Sequence, residues 1–152
     1  VWRFHTIPAE GEPGNETWAG DSWKTGGAPT WLTGSYDPEL ELLYWGIGNP
    51  GPDLNRKARE GINLYSNSIV ALDIDTGQLQ WYFQPSPRDE FDWDGINEPI
   101  LIDETINGKK VKALAQANRN GFLYLLDRAT GEFLYAKPYT RTNWHQTGTA
   151  HV

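Results

Sequence analysis

The sequence predicts an all-β chain made of β-propeller blades, about three of them in an open arc. Three observations predict it. Two hairpin patterns recur at a fixed offset, a third and weaker one precedes them, and no segment carries a helical period. "NSIVALDIDTGQLQWYF", residues 67–83, alternates apolar and polar positions into an Asp-x-Asp-Thr-Gly turn and out again, the pattern of two strands joined by a tight turn. "NGFLYLLDRATGEFLYA", residues 120–136, answers it 54 positions later, Asp73, Thr76 and Gly77 matching Asp127, Thr130 and Gly131, and Trp81 matching Tyr135. The weaker echo is "TWLTGSYDPELELLYWGIGN", with strand, Asp-Pro turn and strand near Tyr36–Gly48. Self-similarity at about 40–50 residues with several strands per unit marks a propeller, and a closed ring needs roughly four to eight blades. The 152 residues hold not quite three such units, so the ring cannot close within them.

Composition narrows the function. A formal net charge of -7 without a basic cluster argues against nucleic acid or an anionic membrane as partner, because both reward lysine and arginine. A cation or a neutral small molecule fits better. There is no apolar run long enough for a membrane span and no cysteine, which removes thiol chemistry. There is also no methionine, even at position 1. Residues 1–152 are therefore expected to be an internal fragment of one propeller domain, with no second domain.

Within the repeat, Ala71-x-Asp73-x-x-Thr76-Gly77-x-x-x-Trp81 has a physical logic. The Asp and Thr side chains satisfy turn backbone groups, Gly takes the positive-φ position, and Trp lays a wide flat surface on a neighbouring blade. This element resembles the tryptophan-docking motif of the eight-bladed quinoprotein alcohol dehydrogenases, which use pyrroloquinoline quinone (PQQ). The second copy departs from it, with Leu125 for the Ala and Tyr135 for the Trp. "GDSWKTGGAPTW", "YDPELELLYWGIGNPGP", "NLYSNSIVALDIDTGQLQW", "DEFDWDGINEPIL" and "ANRNGFLYLLDRATGEF" are similar, in that order, to the middle section of PQQ-dependent methanol and ethanol dehydrogenases.

The resemblance implies a role for particular residues. Trp31, closing "GGAPTW", matches the tryptophan that floors the planar quinone, with Gly26 and Gly27 allowing close approach and Thr30 adding a hydrogen bond. On residues alone it reads as a core tryptophan. Asn49 in "GIGNPGP" matches a metal-ligating asparagine, whose amide carbonyl is a hard neutral oxygen; on residues alone it is turn chemistry. In "RDEFDWDG" Asp92 matches the catalytic aspartate, which also ligates the metal, while Asp89 and Glu90 read as loop acids. If the segment is extended, Asp94 points to the same side as Asp92, and two converging carboxylates require a proton or cation between them. The alternation of Phe91 and Trp93 with the acids argues for a packed segment rather than a solvated charge run. A second aspartate at this offset is similar to the lanthanide-dependent enzymes, because an additional charged oxygen suits a trivalent ion; Ca²⁺ is the alternative. Arg119 in "ANRNGF" matches the arginine that reaches the quinone's reactive oxygens, and on residues alone it is a hairpin arginine. His5, His145 and His151 share no metal-ligand spacing.

As an implication of that resemblance, the complete protein is expected to oxidise a primary alcohol of the methanol or ethanol class by hydride transfer to metal-bound PQQ. Asp92 would take the hydroxyl proton and Arg119 steady the charge developing on oxygen. A c-type cytochrome acceptor, a periplasmic location and a homodimer are expected on the same ground, and the fragment alone should be inactive. The rival is a non-catalytic propeller scaffold of the bacterial envelope, since propellers host both kinds of function.

Overall fold

In the computed structural model, which describes residues 1–106 and 108–144, eight strands form two four-stranded antiparallel sheets. The first holds β1 (Ser35–Asp37), β2 (Leu42–Gly46), β3 (Ile69–Asp73) and β4 (Leu79–Phe83). The second holds β5 (Ile100–Ile106), β6 (Lys109–Ala117), β7 (Phe122–Asp127) and β8 (Phe133–Pro138). In each the strands pair in chain order, as a meander. The only helical pieces among the described residues are 3₁₀ turns at Asn15–Thr17, Ser22–Lys24 and Arg56–Ala58.

The 54-residue offset is the step from one sheet to the next, which places the hairpin at 67–83 in the first and its answer in the second. The weaker echo is not a third unit. Its strands are β1 and β2, and β2 pairs with β3 in register Leu42↔Asp73 to Gly46↔Ile69. The expected count of about three blades thus resolves into two whole sheets preceded by a strandless N-terminal segment. That segment covers the outer face of the first sheet, where Trp2, Phe4 and Ile7 pack on Val70, Leu72, Leu64 and Tyr65.

An aspartate heads three of the turns, as the motif requires. Asp37, Asp73 and Asp127 each accept two backbone N–H groups from the following turn on Oδ1. Short polar side chains satisfy turn backbone in this way, which is why these residues punctuate the strands.

Between the sheets lies the main core: Leu42, Tyr44, Ile69, Ala71 and Trp81 from the first sheet against Leu114 and Leu126 from the second. Trp81 docks as its motif predicts. Its Nε1 donates to the Arg128 carbonyl at 3.1 Å, and its ring covers Gly131, where a Cβ would stand 2.8 Å from it. Trp2 repeats this one step earlier, donating to the Ile74 carbonyl at 2.7 Å and covering Gly77. Ile74 and Arg128 each directly follow the turn aspartate, so Trp2 is a docking residue that the sequence reading missed. Trp2 stands farther ahead of its glycine than Trp81 does of Gly131, chiefly because the β2–β3 connection, 47–68, is much longer than the β6–β7 connection, 118–121.

Gly131→Ala is expected to lower stability by on the order of 2–4 kcal/mol, from the left-handed backbone at φ 77° plus overpacking against Trp81. Gly108→Ala, at φ 78° but with open space around it, should cost only the backbone part, about 1–2 kcal/mol. Urea unfolding of the pair separates docking from backbone strain; equal losses would remove Trp81 docking from the account.

Candidate functional site: a carboxylate cluster where the two sheets meet

Because the strands alternate in direction, the segments before β1 and β5 and after β2 and β6 share one end of the two sheets. Thr30 and Trp31 lie before β1, Asn49 after β2, Asp92 and Asp94 before β5, and Arg119 after β6. The hairpin turns at 38–41 and 74–78 lie at the opposite end. Four loops distant in sequence therefore meet by topology.

Close backbone approach draws them together. Gly27, at φ 87°, bridges to Pro50, and a Cβ there would collide with the Gly51 nitrogen at 2.4 Å. Here the predicted tolerance of the Gly26–Gly27 pair is used, against the Asn49–Gly51 turn. At Gly48 a side chain would stand 2.8 Å from the Trp31 ring and 2.9 Å from Asp94 Oδ1, so this missing Cβ brings the indole and the carboxylate to one point. Trp31 is 54% exposed, which presents an indole surface rather than a core residue, and Thr30 is exposed beside it.

Asp94 is the centre of the cluster. It is 4% exposed; Oδ1 accepts the Asn49 N–H at 3.0 Å and Oδ2 lies 2.5 Å from Arg119 Nη1. Burial pushes its pKa above the ordinary carboxylate value, and the charges of Asp92 and Asp89 add to this. The Asn49 N–H and the Arg119 guanidinium act against it without reversing it. Arg119 is thus placed at the cluster, half exposed and paired with Asp94.

The extended backbone expected through Asp92–Asp94 is not what the chain adopts. Asp92 and Asp94 have φ of 60° and 49°, because buried Asp89 folds the segment into a tight loop. The Asp89 carboxylate accepts the N–H of Phe91 on Oδ1 and of Trp93 on Oδ2, both at 2.9 Å. Phe91 and Trp93 consequently stack on each other, centroids 4.4 Å apart, with Phe91 54% exposed. Alternation in sequence did not mean alternation in space. The expectation that Asp89 is only a loop acid is corrected as well: its side chain shapes the loop that carries the other two.

Three further side chains hold the cluster and had no signal in the sequence. Gln116, fully buried on β6, donates Nε2 to the carbonyls of Gly95 at 3.0 Å and Asn97 at 2.8 Å. Gly95 N–H bonds the Ile47 carbonyl at 3.0 Å, so the residue after Asp94 is pinned to both sheets. Arg59, also fully buried, and Asn63 tie the loop after Asn49 to the loop of Asp89.

The donor set suits a hard cation in kind: two carboxylates, an amide carbonyl, and an excess of negative charge around a buried acid. It is short in number of the six to eight oxygens a calcium-sized ion takes. Among the described residues no three His, Cys, Asp or Glu side chains gather in metal-binding geometry. His145 and His151 lie outside the described residues.

Most of the chain is similar to known proteins. The chain is 52% identical over 129 residues to the quinoprotein alcohol dehydrogenase PedH of Pseudomonas putida, covering 85% of this chain and 21% of that protein. It is 45% identical over 140 residues to the lanthanide-dependent methanol dehydrogenase of Methylacidiphilum fumariolicum, covering 91% of this chain and 23% of that one. A solved europium-containing methanol dehydrogenase superposes with a TM-score of 0.84 at 47% identity, over 88% of this chain and 24% of the other. The chain thus spans about a fifth of the length of the curated relatives it matches. The family model for the PQQ glucose/ethanol/alcohol dehydrogenase β-propeller domain matches residues 1–139, and the chain belongs to that family.

Proposed function

We propose that the complete protein carrying this chain oxidises primary alcohols of the methanol or ethanol class to aldehydes, with PQQ and a lanthanide ion held at the loop end of the two sheets. One observation carries the reading: buried Asp94 is approached from separate loops by an exposed indole, the Asn49 N–H and the Arg119 guanidinium, with Asp92 two residues away on its own loop. A scaffold propeller has no use for a carboxylate buried where four loops meet, because desolvating it costs stability that its half-exposed partner Arg119 only partly returns. When bound, the quinone supplies the two-electron acceptor and the cation Lewis acidity. Trp31 offers a flat face for a planar ring. Asn49 and Asp94, from the loops of the two sheets, would supply oxygens to the cation, and Asp92, half-buried, is the remaining carboxylate for the alcohol proton. Arg119 brings a permanent positive charge to the cluster's open side, where oxygen gains electron density.

Lanthanide in preference to Ca²⁺ is favoured by the second aspartate and by similarity to a lanthanide-dependent and a europium-containing enzyme. A c-type cytochrome acceptor, a periplasmic location and a homodimer complete the proposal. Reconstitution of the complete protein with PQQ plus lanthanum or calcium, followed by dye-linked alcohol oxidation, tests it; inactivity with either ion would favour the scaffold. Asp92→Asn is expected to retain quinone absorbance and metal while turnover falls by roughly 10²–10⁴ with either ion, the usual loss on removing a general base.

A further inference from the structure

Arg59 has the largest fully buried side chain among the described residues and no carboxylate within ion-pair distance. Its guanidinium is spent on loop backbone instead. Nε donates to the Pro52 carbonyl at 3.0 Å, Nη2 to the Asp53 carbonyl at 2.7 Å and to the Asp89 carbonyl, and Nη1 to Asn63 Oδ1 at 3.0 Å. Asn63, itself fully buried, returns a bond from Nδ2 to the Arg59 carbonyl at 3.0 Å. Pro52 and Asp53 follow Asn49 by a few residues, while Asp89 opens the loop of Asp92 and Asp94 and holds its backbone by two further bonds.

We propose that Arg59, with Asp89, is the positioning brace of the metal donor set. It fixes the spacing between the Asn49 loop and the Asp92–Asp94 loop before any ion is present. The inference rests on the proposed metal-site reading for its purpose and on the hydrogen bonds for its existence. Asn49 and Asp94 already share one direct bond, from the Asn49 N–H to the Asp94 carboxylate, and that acceptor is the group that would turn to an ion. A link that does not depend on the ligand atoms is needed to keep the loops in place while Asp94 changes partners. Arg59 supplies it from a site that touches no donor atom. Its planar fork serves four acceptors in different directions, which an ammonium cannot match, and buried carbonyls left unpaired would draw in water and loosen both loops. A guanidinium also leaves no acceptor to compete for the ion.

The test uses the complete protein and the variants Arg59→Lys and Asp89→Asn. Arg128→Lys is the control, another buried arginine, placed between the sheets and away from the cluster. Two readouts are taken: Tb³⁺ affinity from tryptophan-sensitised luminescence, and amide hydrogen exchange of residues 49–53 and 89–95 in metal-free protein. Arg59→Lys and Asp89→Asn should each speed exchange in both loops and weaken Tb³⁺ binding at least tenfold. Arg128→Lys should leave affinity within twofold even where its melting temperature falls as far. Faster exchange with unchanged Tb³⁺ affinity would overturn positioning of the donor set. Unchanged exchange in both loops would overturn the brace itself. A parent protein that takes up no Tb³⁺ yet shows the exchange effect would overturn the metal reading while the brace stands.

Discussion

Asp94→Ala is expected to cut lanthanum-supported alcohol oxidation by the complete protein far more than calcium-supported oxidation. The variant removes one formal negative charge from the donor set, and a trivalent ion loses three unit interactions where a divalent ion loses two. One unit interaction at about 4 Å is about 4 kcal/mol at an effective dielectric near 20, so a difference of at least tenfold between the ions is expected even after water fills the gap. The substitution also strands one buried group, the Asn49 N–H, while the half-exposed Arg119 guanidinium can turn to water. An unpaired buried donor costs about 1–3 kcal/mol, which would weaken both forms alike. Asp94→Asn separates the effects, since its amide oxygen can keep the Asn49 bond while the charge is gone. Steady-state rates and metal titrations of both variants with each ion decide the matter. Equal losses with lanthanum and calcium would make calcium the better assignment and leave the quinoprotein family untouched.

Arg128→Met is expected to be the most damaging change away from the cluster, lowering stability by about 3–5 kcal/mol. Arg128 joins the sheets through both its backbone and its side chain. Its carbonyl accepts the Tyr44 hydroxyl at 2.8 Å and the Trp81 indole N–H at 3.1 Å. Its Nε lies 2.6 Å from Asp37 Oδ2, and Nη1 reaches Asp103 at 2.8 Å and the Ile102 carbonyl at 2.8 Å. Asp37 is 3% exposed, so losing the guanidinium leaves a buried carboxylate without a counter-charge, whereas Asp103 is exposed and contributes little. Burial opposes the ionisation of Asp37, but Arg128 and the N–H groups of Glu39 and Leu40 outweigh it and lower the pKa below the ordinary 3.8. A lowered carboxylate contributes its stability above the unfolded value and loses it as pH falls through the folded one. The deficit of Arg128→Met should therefore be full near pH 7 and shrink below about pH 4, as the variant's Asp37 and the unfolded chain both take up protons. Urea unfolding at several pH values reads this out. A deficit that stays constant into acid would mean that lost packing rather than charge carries the effect, and the double variant Asp37→Asn, Arg128→Met should then recover nothing.

The resemblance to a family supplied the residues of the cluster; the sequence by itself determined the hairpin strands and the turn chemistry. Those are local or pairwise matters. An Asp-x-x-Thr-Gly turn is closed by its own side chains, and a strand shows its period in a few residues, so Asp73, Gly77 and Trp81 could be placed without coordinates. The same logic failed where a contact joins distant segments. Tyr36–Gly48 looked like a separate unit because a hairpin does not reveal which hairpin it pairs with; only the β2–β3 ladder puts it in the first sheet. Trp2 gave no sign of docking, since its partner lies 72 residues away at Ile74. Asp89 read as a loop acid, since its burial depends on two N–H groups that converge only once the loop folds.

The tertiary structure alone decided the state of the cluster. Whether Asp94 ionises readily is set by how much solvent it loses, and which groups oppose or favour its charge is set by the four loops that meet around it. Arg59, Gln116 and Arg128 follow the same rule. A buried polar side chain must find its partners wherever the fold brings them, and those here come from carbonyls and carboxylates up to 91 positions away, beyond the reach of any spacing in the chain.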